Sequence, residues 1–105
     1  MNEHGGTLTL HNSDVSENNA AAVGATGFAN GGGISNFAAV PLIGPPGQLT
    51  VVNSRLTDNV VTASSGITTM GGGLFTADVL SLQPLPVTLI HTVITGNSPD
   101  QCFGC

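Results

Sequence analysis

The stretch GQLTVVNSRLTDN, residues 47–59, occurs three times in varied form, and that recurrence decides the fold. Its counterparts are GTLTLHNSDVSEN at residues 6–18 and LPVTLIHTVITGN at residues 85–97. The three align without gaps, at offsets of 41 residues (6 to 47) and 38 residues (47 to 85). Leu8, Leu49 and Val87 share one column, Leu10, Val51 and Leu89 the next, and Val15, Leu56 and Ile94 a third. Thr9, Thr50 and Thr88 alternate with the first two columns, and Asn18, Asn59 and Asn97 close each copy. Alternation with a period of two gives a strand one inward apolar row and one outward polar row. Self-similarity at a fixed interval marks a solenoid, whose repeats bury their apolar faces only by stacking on one another.

A second element recurs between these copies. GGGISN at residues 31–36 matches GGGLFT at residues 71–76, at an offset of 40. The chain is therefore expected to be a single β-helix segment over 1–105 that cycles through three strands. These are a Gly-rich strand, an alternating Leu-Thr-Leu strand and a Ser-x-Val-x-x-Asn strand. Residues 37–46 and 77–86 are read as loops leaving one corner, and 98–105 as a C-terminal tail. About two and a half three-strand coils fit, and the chain is read as entering partway through a cycle, with no Gly-rich strand before Leu8. Strands stacked on their own copies, about 4.8 Å apart, make every sheet parallel. Asn at a bend donates and accepts along such a stack, so Asn18, Asn59 and Asn97 are read as a structural ladder. Asn12 and Asn53 are read as a second ladder, with His91 in the same column. The glycine triplets suit a tight turn or a positive φ.

Composition agrees with many short strands. Hydrophobic residues make up 40% of the chain, and there are 15 glycines and 6 prolines. A disordered chain lacks the apolar surface needed to offset chain entropy, whereas this one is rich in Val, Leu and Ile. Charged residues are 7% of the total, with Arg55 the single Lys or Arg and a net charge of −5. Phosphate recognition needs clustered Lys and Arg, so a nucleic-acid partner is excluded. No run of about 18 apolar residues is present to span a bilayer. The first residues lack the basic and apolar regions of a secretory signal, and the chain is expected to be a fragment of a longer protein.

The motifs Gly-Gly-Gly-Ile (31–34), Leu-Thr-Leu-x-Asn-Ser (8–13) and Val-x-x-Asn (15–18) resemble the repeats of polymorphic outer-membrane-protein and related bacterial β-helix surface proteins. Those proteins lie within the pectate-lyase-like superfamily of folds. Residues 96–102, GNSPDQC, resemble the C-terminal end of such arrays. The chain departs from the family forms at Gly33 and Gly73, which stand for Ala, and at Val15, Leu56 and Ile94, which stand for Phe. The resemblance implies an all-β, right-handed parallel β-helix (β-solenoid). It implies an exported, secreted or cell-surface protein of adhesin-like type.

β-Helices also carry lyases and hydrolases, so the carboxylates need weighing. In the alignment Glu17 lies over Asp58, a pair able to bind Ca²⁺ or to share a proton. The plainer reading is two solvated turn residues, because Gly96 ends that column. Asp14 lies over Arg55 and reads as an exposed cross-strand ion pair of small energetic value. Asp78, in a loop, and Asp100, in the tail, have no evident partner with which to act as the paired acids of a hydrolase. His4, His11 and His91 lack ligands at metal-binding spacing. Neither glycine triplet precedes a helix, so neither reads as a phosphate loop. Cys102 and Cys105 form one C-x-x-C at the chain end, read as a local disulfide or as bonds to cysteines elsewhere. The threonine row invites comparison with ice-binding solenoids, yet its flanking columns (Thr7, Gln48, Pro86 and His11, Val52, Ile90) are not flat threonine rows.

No catalytic residue, metal site or cofactor is expected. The chain reads as a non-catalytic structural or binding segment, with a glycan or protein ligand as partner. Self-association through open coil edges is a further expectation. The alternative is a remnant of a carbohydrate-active β-helix enzyme, a polysaccharide lyase or glycoside hydrolase, with its active coils outside this chain.

Overall fold

The computed structural model describes residues 1–3, 5–38, 47–78 and 81–105. It is all-β, with fourteen strands and no helix among the described residues. The first circuit of the chain comprises β1 (Asn2–Glu3), β2 (Thr7–His11), β3 (Asp14–Ser16), β4 (Asn19–Ala22) and β5 (Gly27–Asn30). The second comprises β6 (Ile34–Ala38), β7 (Gln48–Val52), β8 (Arg55–Thr57), β9 (Val60–Ala63) and β10 (Ile67–Met70). A third, shorter pass runs through β11 (Leu74–Asp78), β12 (Val87–Ile90) and β13 (Val93–Thr95), and β14 (Cys102–Phe103) follows.

Every strand pairs in parallel with its equivalent in the next circuit, giving five sheets: β1-β6-β11-β14, β2-β7-β12, β3-β8-β13, β4-β9 and β5-β10. No sheet closes on itself. The extents are 38 × 34 × 16 Å, and the short dimension is what three or four strands at about 4.8 Å spacing require. The register follows the sequence columns: Leu8, Leu49 and Val87 stack, as do Thr9, Thr50 and Thr88, and Val15, Leu56 and Ile94.

Two sequence expectations are corrected. A circuit has five strands rather than three, because residues 19–30 and 60–70 each add a pair of short strands beyond the Asn columns. These segments are rich in Ala, Thr and Gly, and their buried apolar residues are only Ala29, Val61 and Met70, so their alternation is faint. Before Leu8, Asn2 and Glu3 form a two-residue strand in the first sheet, paired with Asn36, the last residue of the Gly-rich segment, and with Phe37. Finally, β6 and β11 run on through Ala38 and Asp78, two residues past the Gly-rich segments. Beyond them, 39–46 and 79–80 lie outside the described residues. The return at 81–86 folds against β11, with Ala77 bridged antiparallel to Pro84.

Two apolar clusters form the core. One holds Ile34, Leu49, Val51, Leu56 and Leu74, with Leu8, Leu10, Val15, Val87, Ile94 and Cys102 packed on it. The other holds Met70, Phe75 and Ala77, with Phe37 and Phe103 against them. Alternate residues of β11 thus enter different clusters, and all five of its residues are buried. Phe75 and Phe103 stack with ring centroids 5.6 Å apart. Strand β11 therefore does not alternate apolar with polar, because both of its faces are covered. Burial also depends on position in the stack. Leu49 and Leu56 of the middle circuit are 2% and 0% exposed, whereas Leu89, in the inward column of the last pass, is 38% exposed.

Candidate functional site

The polar residues that recur between circuits meet at the corner after the third sheet and in the turn before it. In the corner ladder, Asn18 donates to Asn59 Oδ1 from its backbone N–H (3.1 Å) and its Nδ2 (2.9 Å). Asn59 repeats this toward Asn97 Oδ1, at 2.9 and 3.0 Å. The remaining amide hydrogens reach backbone carbonyls: Asn59 Nδ2 donates to Val15 O (2.8 Å), and Asn97 Nδ2 to Leu56 O (2.9 Å). Asn59 is fully buried, and a buried amide is tolerated only when its donors and acceptors are met in this way.

This ladder explains the glycine triplets. A Cβ built at Gly33 would lie 2.7 Å from Gly73 O and 2.9 Å from Asn59 Nδ2. At Gly73 it would lie 2.6 Å from Gln101 O and 2.7 Å from Asn97 Nδ2. The third glycine of each triplet thus leaves room for an asparagine rung and a neighbouring backbone. The first glycine, Gly31 or Gly71, turns the chain at φ +66° or +63°.

In the turn between the second and third sheets, Asn12, Asn53 and His91 all adopt left-handed φ values, 51°, 48° and 47°. A short side chain that bonds locally is favoured in that conformation. His91 Nδ1 lies 3.3 Å from Asn53 Oδ1. Beside them runs a hydroxyl column that the sequence reading missed. Ser54 Oγ donates to Val52 O (2.7 Å) and accepts from Ser13 N (3.0 Å), and Thr92 Oγ1 donates to Ile90 O (3.1 Å). The repeated Asn-Ser pair, with His-Thr in the third copy, was the available signal.

A third polar column, also missed, is buried in the first sheet. Asn2 Nδ2 donates to Asn36 Oδ1 (2.8 Å), and Asn36 Nδ2 to Thr76 Oγ1 (3.1 Å). Asn2 also holds Gln48 O (2.9 Å), Asn36 holds Gly47 O (3.3 Å), and Thr76 donates to Leu85 O (3.3 Å). These bonds fix where the chain returns to β7 and β12. Asn36 and Thr76 occupy matching places in the Gly-rich segments, but unlike residues in one column do not advertise a ladder.

The charged candidates are placed differently. Glu17 and Asp58 are exposed, both at φ 56°, and Gly96 continues their column at φ 69°. Gly96 carries no side chain, so the acidic column ends there, and a Cβ built on it would meet the Asp58 carboxylate. Asp14 and Arg55 are directly in register, yet no ion pair joins them, which corrects the expected cross-strand pair. An exposed arginine gains little from being held in one geometry. Asp78 closes β11, is buried, and accepts from Ser81 N at 3.4 Å, so it is not an unpaired loop acid. Asp100 Oδ1 is buried without a hydrogen-bond partner among the described residues. His11 is exposed, and His4 lies outside the described residues. Among the described residues no group of three or more His, Cys, Asp or Glu could hold a metal ion. No described helix is long and apolar enough to cross a membrane.

The C-terminal segment adds a strand to the first sheet at the late end of the stack, where β14 pairs with β11. Cys102 and Cys105 are joined by a disulfide, with Cα atoms 6.0 Å apart. Cys102 packs on the first cluster, and β14 pairs with Leu74 and Phe75. No protein-family model, curated protein or solved structure matches the chain.

Proposed function

We propose that this chain is a segment of a right-handed parallel β-helix from an exported bacterial surface protein of adhesin-like type. It acts without catalysis, presenting an elongated face to a glycan or protein ligand. The observation that carries this reading is the use made of the recurring polar side chains. Asn18, Asn59 and Asn97, with Ser13, Ser54 and Thr92, bond to one another and to backbone carbonyls, so repetition here maintains a scaffold. What such a scaffold offers a ligand is its regular outward rows, of which Thr9, Thr50 and Thr88 form one in consecutive register. The likeness of Gly-Gly-Gly-Ile and Val-x-x-Asn to the repeats of polymorphic outer-membrane proteins supports the surface assignment, and the pectate-lyase-like superfamily is the fold group it points to.

The test is titration of the purified chain against neutral and uronic-acid polysaccharides, with product analysis on the same samples. Saturable binding that leaves the polymer intact, and weakens when Thr50 is changed to Lys, supports the reading. Release of unsaturated or reducing ends would replace it with the carbohydrate-active one.

A further inference from the structure

In the third pass no strand follows in the place of β5 and β10. Ser98 bridges to Val60, and the chain then turns straight back to β14. Gln101 fixes the start of this return. Its Oε1 accepts from Asn97 N (3.1 Å) and Nδ2 (3.0 Å), and its backbone oxygen accepts from Leu74 N (3.2 Å). From there β14 runs opposite Leu74 and Phe75, and the Phe103 ring stacks on Phe75. Leu74 and Phe75 are fully buried.

Beyond Gln101 the hold on β11 is slight apart from one covalent bond. Strand β14 is two residues long, and so short a pairing opens readily by itself. The Cys102–Cys105 disulfide, with a sequence separation of three, ties the strand to the turn that follows it. Gly104 makes that turn at φ +87°, against Thr76 O. The two sulfurs are placed unlike. Cys105 is exposed, whereas Cys102 is half-buried against the cluster of Ile34, Leu49, Val51, Leu56 and Leu74. A thiolate set free at Cys102 is an unpaired charge in apolar surroundings, which is costly until the strand lifts into water. Breaking the bond and lifting β14 are therefore coupled.

We infer that Cys102–Cys105 is a thiol–disulfide exchange site for a dithiol reductant, and that its reduction releases residues 102–105 from β11. A thiolate of the reductant attacks the exposed Cys105 Sγ. A mixed disulfide forms there, the Cys102–Cys105 bond breaks, and its electron pair leaves on Cys102 Sγ. The second thiol of the reductant then attacks the reductant's own sulfur in the mixed disulfide, closing the reductant's disulfide and expelling Cys105 as the thiolate. Both cysteines take up the protons that the dithiol gives up, so the protein gains two electrons and the dithiol loses two. What changes in the protein is the cover over Leu74 and Phe75. The inference goes beyond the ligand-binding reading and does not depend on it.

The test follows the full chain by NMR, with dithiothreitol as the dithiol. On reduction the Phe103 amide is expected to exchange with solvent at least about tenfold faster, and the cross-relaxation between the Phe75 and Phe103 rings should vanish. The Ile34 amide, bonded to Gly73 O between the second and third layers of the same sheet, should exchange as before. Phe103→Ala removes the ring contact and leaves both cysteines in place. It should be reduced several-fold faster than the parent at equal dithiothreitol, because its β14 lifts more readily. Slow Phe103 exchange or an intact ring contact, after both cysteines are trapped as thiols, would overturn the proposal. Equal reduction rates for Phe103→Ala and the parent would overturn it as well. So would loss of protection at Ile34 on reduction, since the bond would then hold the whole stack and not this segment.

Discussion

Asn59 and Gly33 show how a repeat is enforced one residue at a time. Asn59 satisfies groups in all three circuits: Val15 O below, its own amide, and Asn97 Oδ1 above. Replacing it with Ala leaves several of these unpaired inside the protein, so Asn59→Ala is expected to cost about 2–4 kcal/mol of stability. Asn18→Ala, at the exposed end of the same ladder, should cost under about 1 kcal/mol; urea unfolding of both variants measures the contrast. Gly33 tests the other side of the same contact. Gly33→Ala presses a methyl group against Gly73 O and the Asn59 amide, and should cost roughly 2 kcal/mol or more. Gly24→Ala meets nothing closer than 3.7 Å and should stay within about 0.5 kcal/mol of the parent. Similar losses at Gly33 and Gly24 would mean that the close approach is relieved at little cost.

For the strands, the governing fact is that identical residues in one column differ in burial. Leu8 and Leu49 pair across β2 and β7, but only Leu49 is covered on both sides by other circuits. Leu49→Ala should therefore cost about 2–5 kcal/mol, and Leu8→Ala less than half of that. Equal costs would show that the first-circuit edge is covered in solution, which a light-scattering mass on the same sample would reveal directly. Strand β11 carries the other lesson of this scale. Its LFTAD sequence has adjacent apolar residues because Leu74 joins one cluster while Phe75 and Ala77 join the other. The period of two was legible in β2 and β7, which have one covered face. It was illegible in β11, where covering both faces removes the polar row.

At the scale of the molecule, stability is graded from the middle of the stack outward. A solenoid is held by contacts between neighbouring circuits, so the circuit with two neighbours opens last. Hydrogen exchange should find the slowest amides in β7, β8 and β11 and faster exchange in β2, β12 and β13; uniform protection would argue against this grading. The two ends differ in kind. The late end has Gln101, β14 and the Cys102–Cys105 disulfide, but Leu89, Ile90 and Val93 remain 38%, 43% and 48% exposed. Strand edges are open at both, β2 and β3 at the early end and β12 and β13 at the late one, each paired on one side only.

The sequence by itself determined the interval of about forty residues, the columns that stack and the parallel pairing they impose. Matching residues at fixed offsets leave one register that buries every apolar column together. The asparagine and glycine columns were legible for the same reason, since like residues recur where the geometry recurs. Only the tertiary structure decided that a circuit has five strands, because the Ala- and Thr-rich strands after each asparagine bury too little to show a pattern. It alone placed Gln101 on the last rung and joined Asn2, Asn36 and Thr76 into a buried column. The Asn36–Thr76 and Asn97–Gln101 contacts link residues of different type, which no repeat marks, and Asn2 lies outside the repeated segments that would have matched it to Asn36.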